Sequence, residues 1–465
     1  MKIQSILFIE PKTENLHIYA KFNLPRLGSI ILATIMKKLK FDVHVLFMTE
    51  KEIYKKNMTA DLVAISTITS TAKAAYRIAQ FYKNKGIPII MGGPHVTFCE
   101  EESMQYADYC IRGEGEVALP ALISALKSGK GLAKVPGLIF KANDKIIKNA
   151  PAPPIQDLDT LPFPDLSLVE YGLHKYRRSP LKRKIVPVQT SRGCPFDCTF
   201  CSVTGMFGKK YRFRSPENVI QEIKRYNPKR HHIFFYDDNF SANRKRTKEL
   251  LQKMIDLKLG FKWSTQVRTD IAKDQELLKL MKQAGCCVLY IGFESCDEKA
   301  LAEMHKSQTV RDMIWAIKEI KKYNIYIHGM FVFGFDADTI SSINSTINFA
   351  ISQPIDSAQF MILTPLPGTE FYNKLLKEKR IIDFNWSDYD AHYVKFKPKN
   401  LTEIELQNAQ IRAHERFYSP LNLIKKLFHG RIISFFIGLY ANKLNNKWKK
   451  TIQEYLWYLR DAVIT

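Results

Sequence analysis

The run Thr190-Ser191-Arg192-Gly193-Cys194-Pro195-Phe196-Asp197-Cys198-Thr199-Phe200-Cys201 decides how the rest of this chain is read. Its cysteines are spaced C-x3-C-x2-C and follow the apolar, β-branched stretch Ile185-Val186-Pro187-Val188. Three thiolates therefore share one short loop at the end of a strand. A closed zinc site takes four ligands, and an ordinary iron–sulfur cluster takes four thiolates. Three point to a cluster with one iron left open for chemistry. The alternative is three idle thiols crowded between Gly193 and Pro195, a costly arrangement for so reactive a group.

Downstream of the loop, strand-like and helix-like stretches alternate. Strands are expected at Ile185–Gln189, His232–Tyr236, Lys262–Gln266, Val288–Phe293, Tyr326–Phe333 and Ser357–Leu363, with helices at Pro216–Tyr226, Arg244–Leu257, Gln275–Ala284, Val310–Lys322 and Ile340–Ile351. Six β/α units predict a partial (β/α)6 barrel of the TIM type. Residues that follow its strands would converge on one mouth: the cysteine loop, Asp237, Asp238, Arg268, Glu294, Ser295, Gly334 and the run Thr364–Thr369.

Upstream, the alternation has a shorter period. The β-rich runs Ile3–Ile9, Val43–Phe47, Leu62–Ser66, Pro88–Met91 and Tyr109–Arg112 are interleaved with helical spacing over Leu27–Leu39, Thr71–Lys85 and Val117–Lys127. This predicts a doubly wound, Rossmann-like or flavodoxin-like α/β domain over 1–130, with ligands at the carboxyl ends of its strands. Those ends carry Ser66 and Thr67, Gly92-Gly93-Pro94-His95, and Gly113 and Glu114 of Arg112–Glu116, with Pro25 to Gly28 opening the first helix. Between the two units, residues 131–184 read as a hairpin over Asn143-Asp144 and a proline-rich linker. The barrel is expected over 185–395 and a helical, basic region over 396–465.

A net charge of +24 predicts attraction to something anionic without choosing it. Lysine and arginine cluster in His174–Lys184, Lys209–Arg214, Lys224–Arg230 and the C-terminal stretch. Within residues 419–450, apolar and aromatic residues such as Leu427, Phe428, Phe435 and Phe436 alternate with Lys425, Lys426, Arg431, Lys443 and Lys447. Such a segment either lies in a membrane interface or packs on the barrel. The N-terminus reads as a first strand, not a signal sequence, and no apolar run reaches the roughly 20 residues that span a bilayer. The expected location is cytoplasmic, peripheral to the inner membrane face if the tail binds lipid. In that reducing setting Cys99, Cys110, Cys286, Cys287 and Cys296 are expected to be buried thiols.

Ser191-Arg192-Gly193-Cys194-Pro195-Phe196-Asp197-Cys198-Thr199-Phe200-Cys201 closely resembles the motif of the radical S-adenosylmethionine (SAM) superfamily. The first domain, together with Tyr211–Val219 and Thr364–Glu370, resembles the cobalamin (B12)-dependent branch, and the likeness covers about residues 1–395. It implies a [4Fe-4S] cluster on Cys194, Cys198 and Cys201, SAM chelated by the open iron and cleaved to a 5′-deoxyadenosyl radical, and a flavodoxin- or ferredoxin-like electron donor. It places Tyr236, Asp237, Asp238, Arg268, Glu294 and Ser295 around SAM. Cobalamin would lie against Ser66, Thr67, Gly92, Gly93, His95, Gly113 and Glu114. His95 is expected either at the cofactor or facing solvent. His44 sits inside a strand, with Phe47 where a D-x-H-x-x-G loop has glycine, and is not expected to ligate cobalt.

The activity implied is methyl transfer from methylcobalamin to an unactivated carbon of a lipid or other secondary metabolite. A cyclase or oxidase without methyl transfer is the nearest rival. A methylthiotransferase acting on tRNA or protein fits less well, because the first domain has only Cys99 and Cys110 and the tail reads helical. Nucleic acid is accordingly not an expected partner.

Overall fold

The computed structural model of the chain describes residues 2–13, 24–172 and 183–464, with side chains to 460. Most of the basic cluster at 174–184 lies outside the described residues. Nine strands lead up to the cysteine loop: β1 (Ser5–Pro11), β2 (Asp42–Met48), β3 (Leu62–Ser66), β4 (Ile89–Gly92), β5 (Tyr109–Ile111), β6 (Leu138–Ala142), β7 (Lys145–Lys148), β8 (Val169–Tyr171) and β9 (Lys184–Val188). Beyond them come β10 (Ser191–Arg192), β11 (Arg212–Phe213), β12 (His231–Phe235), β13 (Lys262–Val267), β14 (Cys286–Glu294), β15 (Tyr326–Phe333) and β16 (Ser357–Ile362).

The first sheet has the order β7-β6-β5-β4-β3-β1-β2-β8. From β5 to β8 it is parallel. Its strands are near-continuous apolar runs because both faces are covered. Helices Leu27–Lys38 and Gly115–Ser128 pack on one face through Leu27, Ile30, Ile31, Leu119 and Leu122. Helices Glu50–Lys56 and Ala72–Lys83 cover the other through Ile53, Ala75, Ile78 and Ala79. Strand order reverses at β1, which opens a crevice beyond the carboxyl ends of β1 and β3.

The segment that reads as a linker belongs largely to this sheet. The β6–β7 hairpin pairs antiparallel with β5, and β8 pairs with β2. Leu138, Ile139 and Val169 are buried there, and the added strands cover β5 and β2, which would otherwise be bare edges.

The second sheet is parallel, in the sequential order β9-β12-β13-β14-β15-β16, and forms a partial barrel with helices on its outer side. The layer between this sheet and its helices is aromatic: Phe293, Phe331 and Phe360 stack in series across β14, β15 and β16, with Phe293 against Phe349 and Phe360 against His414 and Phe417. An open barrel leaves β16 as an edge with free backbone groups. Helix Glu403–Phe417 and the residue after it satisfy them with side chains. His414 Nε2 accepts from Phe360 N–H, Gln410 donates to Phe360 C=O, and the Tyr418 hydroxyl bonds both Ala358 N–H and C=O. Helices Pro420–Phe428, Ile432–Thr451 and Gln453–Ile464 complete the C-terminal region.

Candidate active site

The cysteine loop starts from the end of β9 and is held there by a buried polar cluster. Asp237, just past β12, accepts from Thr190 N–H, the Thr190 hydroxyl and Ser191 N–H. Arg246, itself buried, donates to Thr190 Oγ1 and to the carbonyls of Thr190 and Arg214. Gly193 adopts φ +86°, and a Cβ there would lie 2.7 Å from Lys210 O, so glycine is needed for the loop to turn against the chain at Gly208–Lys210. Cys194, Cys198 and Cys201 are all free and half-buried. Their thiols lie close enough to feel one another and Asp238. Burial raises the Cys194 thiol and pushes that of Cys201 up to about 12. Arg268, after β13, stacks on Phe196 with 3.8 Å from its guanidinium to the ring, and its Nη1 lies 3.9 Å from Cys198 Sγ.

Beside the loop lies a cavity of about 350 Å³, walled by both sheets at their carboxyl ends. The first domain supplies an apolar floor from Phe8, Leu27, Leu32, Ile90 and Leu119, and a rim of Ser66, Gly92, Gly93, Gly113, Glu114 and Glu116. The barrel supplies Gln189, Arg192, Met206, Phe207, Tyr236, Asp238 and Gln266. Burial, and secondarily the charge of Asp237, raises the Asp238 carboxyl to about 7. At the first-domain wall, Arg26 Nε pairs with Glu10 Oε1 at 3.5 Å, and the same oxygen accepts Arg26 N–H. Burial pushes the Glu10 carboxyl up.

This geometry gathers Ser66, Gly92, Gly93, Gly113, Glu114, Tyr236 and Asp238 around one space, with the cysteines and Arg268 alongside. Other residues named from sequence lie elsewhere. Thr67 is buried, and its hydroxyl is engaged with Thr71 Oγ1 and Ile68 O. His95, expected at the cofactor or in solvent, neither faces solvent nor lines the cavity. The helical turn after Gly93 carries it to the opposite face of the sheet, fully buried, where Nε2 meets the Tyr76 hydroxyl at 2.9 Å and the ring stands edge-on to Trp386. Asp237 faces the cysteine loop, as described, and not the cavity. Glu294, at the bulge that ends β14, adopts φ +63° and forms a buried pair with Lys306 at 2.5 Å. Gly292 makes that pair feasible, since a Cβ there would lie 2.3 Å from Glu294 Oε1. Ser295 is buried, its Oγ accepting from Asp297 N–H. His44 is half-exposed on β2, 3.2 Å from Glu170 and away from the cavity.

Arg192, Gln189, Glu116, Gln266 and Arg26 also shape the site and carried no metal or cofactor spacing of their own. Arg192 and Glu116 do stand inside the two runs that the sequence marks, next to Gly193-Cys194 and Gly113-Glu114.

Three thiols on one loop match a cluster donor set with an open iron. A glycine-lined rim over an apolar floor suits a flat ligand that has a polar periphery. The features define a radical SAM barrel coupled to a corrin-binding α/β domain. The Radical SAM superfamily model matches residues 188–350 and the B12 binding domain model residues 16–123. An uncharacterized methyltransferase of Pyrococcus horikoshii is 34% identical over 451 residues, covering 93% of this chain and 97% of that protein. The chain belongs to the B12-binding branch of the radical SAM superfamily.

The bacteriochlorophyllide d C-12(1)-methyltransferase of Chlorobaculum tepidum is 28% identical, covering 95% of this chain and 93% of that protein. The anaerobic magnesium-protoporphyrin IX monomethyl ester cyclase of Cereibacter sphaeroides is 30% identical over 80% of this chain and 62% of that one. Among solved structures, the cobalamin-dependent SAM radical enzyme OxsB with aqua-cobalamin bound superposes with a TM-score of 0.68 at 16% identity, covering 98% of this chain and 76% of that one. The protein is thus a radical SAM enzyme whose cofactors are a [4Fe-4S] cluster, SAM and cobalamin.

Proposed function

We propose that the chain is a cobalamin-dependent radical SAM C-methyltransferase that acts on an unactivated carbon of a membrane-partitioned small molecule. The observation that carries the reading is the cavity walled by the strand ends of both domains, with the cysteine loop at its side. When bound, the cluster and SAM supply a hydrogen-abstracting radical and cobalamin supplies a methyl group, chemistry that no side chain provides.

Cys194, Cys198 and Cys201 would hold the cluster, and Asp237 keeps their loop at the end of β9 through its bonds to Thr190 and Ser191. Arg268, stacked on Phe196, sets a fixed positive charge beside the thiolates. Tyr236, Asp238 and Gln266 form the barrel-side wall that would contact SAM, and Ser66, Gly92, Gly93 and Gly113 let a corrin approach the first domain closely. The apolar floor excludes water, which protects a reactive intermediate from side reactions. An electron donor of the flavodoxin or ferredoxin kind would serve the cluster.

The membrane part of the reading rests on the tail. Residues 419–450 contain no aspartate or glutamate and seven lysines or arginines. On the same segment Leu421, Phe428, Ile432 and Phe436 are more than half exposed. Among the described residues no helix is long and apolar enough to cross a membrane, so the segment would lie on the surface.

The identity to a cyclase supports a second reading, ring closure without methyl transfer. Mass spectrometry of extracts from cells with and without the gene, fed methionine labelled in its methyl group, separates the two. A gene-dependent product heavier by one labelled methyl in place of hydrogen is expected. A gene-dependent product without the label would replace this reading with the cyclase one.

A further inference from the structure

Two arginines immediately before and after the cysteine loop reach across to the first domain. The short antiparallel ribbon of β10 and β11 sets Arg192 opposite Arg212. Arg212 forks onto Glu114, with Nη2–Oε1 at 2.6 Å and Nη1–Oε2 at 3.0 Å. It also donates to the carbonyls of Ile155 and Phe207. Arg192 meets Glu116 at 2.6 Å and Glu114 at 3.5 Å, and its Nε is fixed by Gln189 Oε1. All four charged side chains are at most 6% exposed. The proline-rich segment is strapped to the same ribbon: Ile155 N–H donates to Glu114, Lys210 to Gln156, and Ser215 N–H to Asp159.

Buried, bidentate pairs of this kind are rigid, and removal of one partner strands the other charge. Glu114 and Glu116 begin the helix that follows the Gly113 turn, on the corrin side of the cavity, while Arg192 is two residues from Cys194. The pairs therefore join the two loops that face each other across the reaction space. We propose that Arg192 and Arg212 are positioning residues that fix the cysteine loop against Glu114 and Glu116, so that occupancy of the first-domain side is transmitted to the cysteine side. This rests on the two-cofactor reading above. By linkage the effect is reciprocal: whatever orders one loop favours ligand binding at the other.

Hydrogen exchange in the full chain, with and without hydroxocobalamin, tests it. Wild type should show slower exchange with the corrin present in peptides covering 191–213 as well as those covering 113–116. Arg192→Gln should still take up the corrin, with affinity lowered about tenfold, and should lose the change in 191–213 while exchange in barrel peptides away from the cysteine loop stays as in wild type. The charge swap Glu116→Arg with Arg192→Glu should restore part of the transmitted protection, which a role in packing alone would not predict. Transmission that persists undiminished in Arg192→Gln, or none in corrin-loaded wild type, would overturn the proposal. Should Arg192→Gln misfold, Glu116→Gln gives the same reading from the other partner. A wild-type chain that takes up no corrin at all would instead overturn the functional reading beneath it.

Discussion

His95 shows what a residue's chemistry does once its surroundings are known. Read in the run Gly92-Gly93-Pro94-His95, it looks poised at a ligand. Gly93, at φ +98° with its missing Cβ 2.7 Å from Thr67 O, instead turns the chain so that His95 enters the core on the far side. Sequence alone shows the turn residue but not the face to which the turn delivers its neighbour. Burial holds the His95 imidazole down to about 4, below its ordinary value. The unfolded chain therefore binds a proton near pH 6.5 that the folded one refuses, and the stability this group contributes is present above about 6.5 and lost as pH falls toward 4. Chemical denaturation of wild type and His95→Gln at several pH values checks this. The difference between the two should shrink or reverse over that window, by up to about 3 kcal/mol; a pH-independent difference would contradict a neutral, buried His95. The cysteine triad, by contrast, was legible because its spacing is local, whereas Asp237 could be named but its partners at Thr190 and Ser191, far away in sequence, could not.

At the scale of elements, β/α alternation located the parallel strands well: Leu62–Ser66 and Tyr326–Phe333 agree with their expected ranges. Near-continuous apolar runs and capping residues such as Thr309 and Asn243 make such elements self-announcing. What escaped was the destination of 138–148 and 169–171, because β-pairing with β5 and β2 is a tertiary choice that prolines and turn residues do not encode. The C-terminal helices pack inward along one side and leave apolar residues exposed along the other. Leu423, Ala441 and Leu444 turn inward, and Lys426 bonds Asp356 O, while Phe428 and Phe436 stay outside. Flotation with liposomes containing anionic lipid tests the outer face. The full chain should partition with the vesicles, and the substitutions Phe428→Ser and Phe436→Ser together should lower bound protein several-fold without loss of fold. Equal partitioning would remove the reason to place the substrate in a membrane.

For the whole molecule, the two sheets and a chamber between the barrel mouth and the first domain are legible through the resemblance; the contacts that close the joint cavity are not. It depends on contacts such as Glu116 with Arg192 and Glu114 with Arg212, between residues 76 and 98 positions apart. Those contacts bring the B12-binding half and the cysteine loop to a common space, which neither half forms by itself. We propose that SAM is cleaved in this shared space, at a cluster held by Cys194, Cys198 and Cys201. The most direct test measures 5′-deoxyadenosine released from SAM by the anaerobically reconstituted, cobalamin-loaded chain under a strong reductant. Release by wild type, and its loss together with the cluster absorbance when all three cysteines are changed to alanine, is predicted; release that continues in the triple variant, or none from the fully loaded wild type, would contradict the account.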